Sequence, residues 1–149
     1  MGLIGFSAGG HLAAITAVTA QAKPDLLLLG YPVITFEEPF AHAGSRRNLL
    51  GENPSGANIL AHSADRQAGS GTPPSFIWAT ADDASVPVEN SLKFAAALSA
   101  AGIPFELHIF EEGRHGLGLS AGNTECRQWL RLCETWLDKH RYVTKKEED

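Results

Sequence analysis

Three short stretches of this chain hold residues whose types and order fit nucleophilic acyl chemistry. The first is Gly5-Phe6-Ser7-Ala8-Gly9. A Gly-x-Ser-x-Gly run is the pattern of a nucleophile elbow, a sharp strand-to-helix turn that lifts a serine hydroxyl clear of a sheet. Its glycines are expected where the backbone turns tightly and the strand and helix pass too close for Cβ atoms. The second stretch is Thr80-Ala81-Asp82-Asp83-Ala84-Ser85-Val86-Pro87, and the third is Gly113-Arg114-His115-Gly116-Leu117-Gly118-Leu119. A serine hydroxyl is a poor nucleophile until a histidine takes its proton, and a carboxylate must hold that histidine in the right tautomer. The candidates are therefore Ser7 as nucleophile, His115 as base, and Asp83 as acid with its neighbour Asp82 as the alternative. The N–H of Ala8, the residue after the serine, is the natural donor to an oxyanion.

Such groups need a scaffold that brings them together, and the chain alternates strand and helix patterns. Met1-Gly2-Leu3-Ile4 reads as the end of a buried strand, and Gly10 to Val18 as an apolar helix that starts at the serine. Ala22-Lys23-Pro24-Asp25 breaks that helix, and Leu26 to Val33 reads as an apolar strand closed by Gly30 and Pro32. Residues 36–73 are rich in Gly, Pro, Asn and Ser, and the stretch is too long for a plain connection. It is expected to be an insertion with one or two short helices that shapes the substrate site. Ser75 to Thr80 reads as a third strand.

The next helix opens near Pro87, with an apolar stripe of Val88, Leu92, Ala95 and Leu98 and a stop at Gly102. Phe105 to Phe110 alternates and predicts a fourth strand. Asn123 is placed to cap a last helix with Trp129, Cys133, Trp136 and Leu137 on its buried face. The charged tail after Arg141 is expected to fray. Strands separated by helices predict an α/β class: one domain over residues 1–149, a parallel sheet with flanking helices and right-handed crossovers. Asp83 and His115 then each follow a parallel strand, on the same edge as Ser7, where open α/β sheets bind ligands.

Bulk properties fit that scaffold. The 149 residues are 44% hydrophobic and 19% charged, as in a single globular domain with a sizeable core. A net charge of −5 argues against nucleic acid or an anionic membrane as partner. No apolar run reaches the ~18 residues of a membrane span. The first residues show no basic segment followed by an apolar region, so the chain as given is expected to be cytoplasmic unless a leader precedes Met1. Cys126 and Cys133 share one expected helix, which puts their Cα atoms about 10.5 Å apart, too far for a disulfide. They are expected to be core residues. Glu111, Glu112 and His115 come nearest to a ligand set, but no second histidine completes a zinc site, so neither metal nor cofactor is expected. His11 is expected to pack or bond locally, and His42, His62, His108 and His140 to be structural or exposed.

The Asp83 and His115 stretches, taken with Gly5 to Gly10, resemble the α/β-hydrolase fold esterases, above all the acetyl-xylan and feruloyl esterase branch. In these families the acid heads a D-x-x-V-P run, which fits Asp83 with Val86-Pro87 and leaves Asp82 one place early. Their histidine sits in a G-x-H-G turn, which fits His115. The resemblance covers essentially the whole chain but only the C-terminal half or so of the family's domain, about four strands. In that fold several strands and a glycine-rich loop with a second oxyanion donor precede the serine; here six residues do.

The resemblance implies a serine carboxylesterase acting on acetyl or aromatic (feruloyl-type) esters of carbohydrate by a Ser-His-Asp acyl-enzyme mechanism. A missing N-terminal half would weaken it, since loss of one oxyanion donor typically costs ~10²–10³ in rate. The expected partner is a small-molecule or carbohydrate ester, with no role for nucleic acid or membrane. The first strand, left at a sheet edge, is expected to be covered by a second copy of the chain or by the missing half. Two other readings fit the same residues. One is a peptidase or lipase of the same fold, because pocket shape lies in residues 36–73 and ahead of Ser7. The other is a non-catalytic fragment that binds a partner through its exposed sheet edge.

Overall fold

Leu26 to Leu29 are satisfied only by burial on both sides, and they take an interior place in a parallel sheet. The structure is a computed structural model that describes residues 1–140 and 142; the tail expected to fray lies outside these apart from Tyr142. Four strands, β1 (Gly2–Phe6), β2 (Leu26–Gly30), β3 (Ser75–Thr80) and β4 (Phe105–Phe110), pair in the order β1-β2-β3-β4, all parallel. The helices are α1 (Ser7–Thr19), α2 (Ala43–Leu50), α3 (Gly56–Ala61), α4 (Ala64–Gln67), α5 (Glu89–Ala100) and α6 (Trp129–Lys139). A 3₁₀ turn at Cys126–Gln128 leads into α6. None of the described helices is long and apolar enough to cross a membrane.

The sheet is covered from both sides. Ala14 and Ala17 of α1 and Phe94 and Leu98 of α5 pack on Leu27, Leu29 and Ile77. On the opposite face Trp129, Cys133 and Trp136 pack on Phe76 and Trp78. All six residues of β3 are buried as a result. β1 is different. It lies at the edge of this sheet, as the sequence predicts, so Ile4 is 56% exposed and Leu12 of α1 67% exposed rather than buried.

Three further expectations are corrected. β2 stops at Gly30 rather than Val33, because Tyr31, after one last N–H bond to β3, turns to φ 37° and takes the chain off the sheet. Residues 36–73 carry three short helices, not one or two. The buried face of α5 is Asn90, Ser91, Phe94, Ala95 and Leu98, while Leu92 is 46% exposed. Asn90 accounts for the rotation. Its Oδ1 accepts from the N–H groups of Ile34 and Thr35, and its Nδ2 donates to the carbonyls of Phe40 and Pro87. A fully bonded amide can be buried, so a polar residue takes a place that periodicity reserves for an apolar one.

At the C-terminal end, Asn123 does not cap α6, which follows Gln128 with no side-chain cap; its Oδ1 instead accepts from Cys126 N–H at 2.9 Å, at the start of the 3₁₀ turn that precedes the helix. Leu137 is only half-buried. Cys126 and Cys133 are free and buried, and burial pushes the Cys133 thiol up to about 11.

Candidate active site

The chain leaves β1 extended at Phe6 (φ −124°, ψ 140°) and reverses at Ser7, whose φ of 53° lies in the left-handed region. Helix α1 starts there. The turn needs close approach at two glycines. A Cβ on Gly5 would overlap the carbonyl oxygen of Gly9 and lie 2.9 Å from Ala13 Cβ, and one on Gly10 would lie 2.7 Å from Pro32 Cβ. At Gly9 a Cβ would meet nothing within 4 Å. The steric need expected of both motif glycines therefore falls on Gly5 and Gly10. Gly5→Ala and Gly10→Ala are expected to cost about 1–3 kcal/mol each, whereas Gly9→Ala, inside a helix, should gain up to about 1 kcal/mol. Thermal melts of the three variants check this, and equal losses at all three would overturn the steric account.

β3 and β4 run parallel to β1, so the segments leaving them reach the same edge as Ser7. His115 Nε2 lies 2.7 Å from Ser7 Oγ, and His115 Nδ1 lies 2.6 Å from Asp83 Oδ2. The three groups form one hydrogen-bonded chain across 108 residues of sequence. Asp83 is the most enclosed of them, its side chain 1% exposed against 23% for His115. Its Oδ1 accepts from the N–H groups of Ser85 (2.8 Å) and Val86 (2.9 Å), which aims Oδ2 at the imidazole. A carboxylate only accepts, so the imidazole proton sits on Nδ1 and leaves Nε2 free to accept from the serine hydroxyl. Such a chain can draw a proton from Ser7 while keeping the positive imidazole beside a carboxylate.

Asp82 points elsewhere. Its Oδ1 accepts from Gly113 N–H at 2.8 Å, and Thr80 Oγ1 donates to the Gly113 carbonyl at 2.9 Å. Both side chains tie down the near end of the loop that carries His115. Ala8 is exposed in the first turn of α1, where N–H groups have no intrahelical acceptor and negative charge is favoured.

The remaining histidines serve the scaffold. His11 is buried, donates through Nε2 to the His62 carbonyl at 2.7 Å and rests on the Phe36 ring; burial lowers its pKa. His42 caps α2, His62 bonds the Asn58 carbonyl, His108 pairs with Glu106, and His140 lies against Trp136. Among the described residues no group of three or more His, Cys, Asp or Glu side chains is arranged to hold a metal ion. Sequence reasoning missed Tyr31, whose ring stands edge-on to His115 at 5.0 Å. Nothing local marks it, beyond its place at the end of an apolar strand.

Residues 1–143 match the prolyl oligopeptidase family. The chain belongs to that family. Its four parallel strands with flanking helices form part of an α/β-hydrolase fold. Over 96% of its length it superposes on an acetyl ester-xyloside bifunctional hydrolase from Caldicellulosiruptor lactoaceticus with a TM-score of 0.91 and 45% identity, covering 57% of that structure. A carboxylesterase from Lactobacillus plantarum gives 0.80 at 28% identity, with 97% of this chain and 60% of that structure covered. Acetylxylan esterase from Xylanibacter ruminicola is 32% identical over 92% of this chain, and endo-1,4-beta-xylanase B from Butyrivibrio fibrisolvens is 38% identical over 87%. The chain spans 30% and 24% of those two proteins.

Proposed function

We propose that this chain carries the catalytic residues of a serine carboxylesterase that removes acetyl or aromatic (feruloyl-type) groups from carbohydrate. The observation that carries the reading is the Ser7–His115–Asp83 hydrogen-bond chain, with links of 2.7 and 2.6 Å at the carboxyl edge of a parallel sheet. Ser7 Oγ attacks the ester carbonyl carbon as its proton passes to His115 Nε2. The tetrahedral oxyanion receives the Ala8 N–H, and its collapse expels the alcohol, which leaves with the proton held by His115. Water, deprotonated by the same nitrogen, then releases the acid and restores Ser7. Asp83 keeps the imidazole in the productive tautomer throughout.

Relatives named for acetyl esters support the ester reading, while the family's description is that of a peptidase. A fluorophosphonate probe tests the nucleophile. Mass spectrometry should place the label on Ser7, with other serines unmodified, and label elsewhere would sink the assignment. A parallel panel of p-nitrophenyl acetate, methyl ferulate and a prolyl p-nitroanilide then separates the substrate classes. Cleavage of the anilide with no cleavage of either ester would turn the reading to a peptidase.

A further inference from the structure

We propose that Tyr31 is a positioning residue for His115, holding both the imidazole and the loop backbone just beyond it; the inference rests on the role proposed above for His115. Tyr31 is a bulky residue at φ 37°, a conformation that such side chains rarely adopt. Two backbone bonds fasten the segment. Tyr31 N–H donates to the Trp78 carbonyl, and Val33 N–H donates to the carbonyl of Ser7 itself. With this backbone the side chain packs against the His115 imidazole. There its ring meets Phe6, Trp78 and His115 at centroid distances of 5.8, 5.1 and 5.0 Å. It stands at 70° to the imidazole. Tyr31 is 6% exposed, so nearly all of its surface is taken up by these packing contacts.

Its hydroxyl has a separate task. Gly118 N–H donates to Tyr31 Oη at 2.8 Å, three residues beyond His115. The loop there is irregular, with Gly116, Gly118 and Ser120 all at positive φ. Its own backbone bonds begin beyond this point, at Ser120 N–H to the Leu117 carbonyl, so the stretch from Gly113 to Gly118 is placed by side chains from elsewhere. Asp82 and Thr80 hold it at Gly113, before His115, and the Tyr31 hydroxyl holds it at Gly118, after His115. A ring that served only as core filling would need no hydroxyl at this point. The contacts therefore divide: the ring limits rotation of the imidazole, and the hydroxyl sets where the loop carries it.

The test uses the full chain with Tyr31→Phe, which keeps the ring, and Tyr31→Leu, which removes ring and hydroxyl. Fluorophosphonate inactivation is followed over a range of probe concentrations, so that the maximal rate of Ser7 labelling separates from half-saturation. Proton NMR follows the far-downfield His115 Nδ1 proton, a signature of its bond to Asp83. Misplacing a reacting group by about 1 Å costs on the order of 10²-fold in rate, so Tyr31→Leu is expected near that value and Tyr31→Phe nearer ~10-fold. Half-saturation should be unchanged, and the downfield proton should broaden in both variants. A Tyr31→Phe protein with the wild-type maximal rate and an unaltered downfield proton overturns the proposal, even if its melting temperature falls. A wild-type chain that is not labelled at Ser7 and lacks the downfield proton overturns instead the reading on which it rests.

Discussion

Ser7→Ala is expected to lower ester hydrolysis by about 10⁶-fold in kcat while leaving the fold intact, the scale seen when a nucleophilic serine is removed from such a unit. The loss is large because Ser7 Oγ is the atom within hydrogen-bond reach of His115 Nε2, and without it the base has no hydroxyl to activate. Stability should hold, because alanine at φ 53° is no more strained than serine and the Val33 N–H bond goes to the backbone carbonyl of residue 7. Steady-state kinetics on p-nitrophenyl acetate with matched thermal melts would measure both. A variant that keeps activity within tenfold of wild type would mean that some other group attacks the ester.

Asp83→Asn should cost about 10⁴-fold in kcat, with Asp82→Asn costing far less. The two N–H groups of Ser85 and Val86 already claim an acceptor at the Oδ1 position of residue 83. An asparagine there keeps its carbonyl oxygen facing them and turns its NH₂ toward His115 Nδ1. The imidazole proton must then move to Nε2, where it can no longer accept from Ser7. At residue 82 an asparagine can still offer a carbonyl oxygen to Gly113 N–H, so the loop keeps its tie. Rate measurements on the two purified variants decide the matter, and the opposite ranking would move the acid one residue back.

Residue order and periodicity alone place most of the frame. β3 and β4 fall on the residues that apolar runs and alternation mark out, and α1 begins at the serine of a Gly-x-Ser-x-Gly run. Parallel strands share a carboxyl edge, so a serine, an aspartate and a histidine that each follow a strand arrive at the same edge. These features are legible because they depend on the side-chain period of each element and on turn chemistry within a few residues.

Where a choice depended on groups far away in sequence, the folded arrangement made it. Asp82 and Asp83 are adjacent and chemically alike, yet one faces Gly113 and the other His115 because of where the β4 loop passes. Asn90 turns α5 by bonding backbone groups 50 to 56 residues away, which no helical stripe encodes. Tyr31 meets Gly118 across 87 residues, and its left-handed backbone is held by neighbours that local propensity opposes. Periodicity reports which face of an element is buried. Which partner a polar side chain finds there depends on distances set only when the sheet, the helices and the loops have packed.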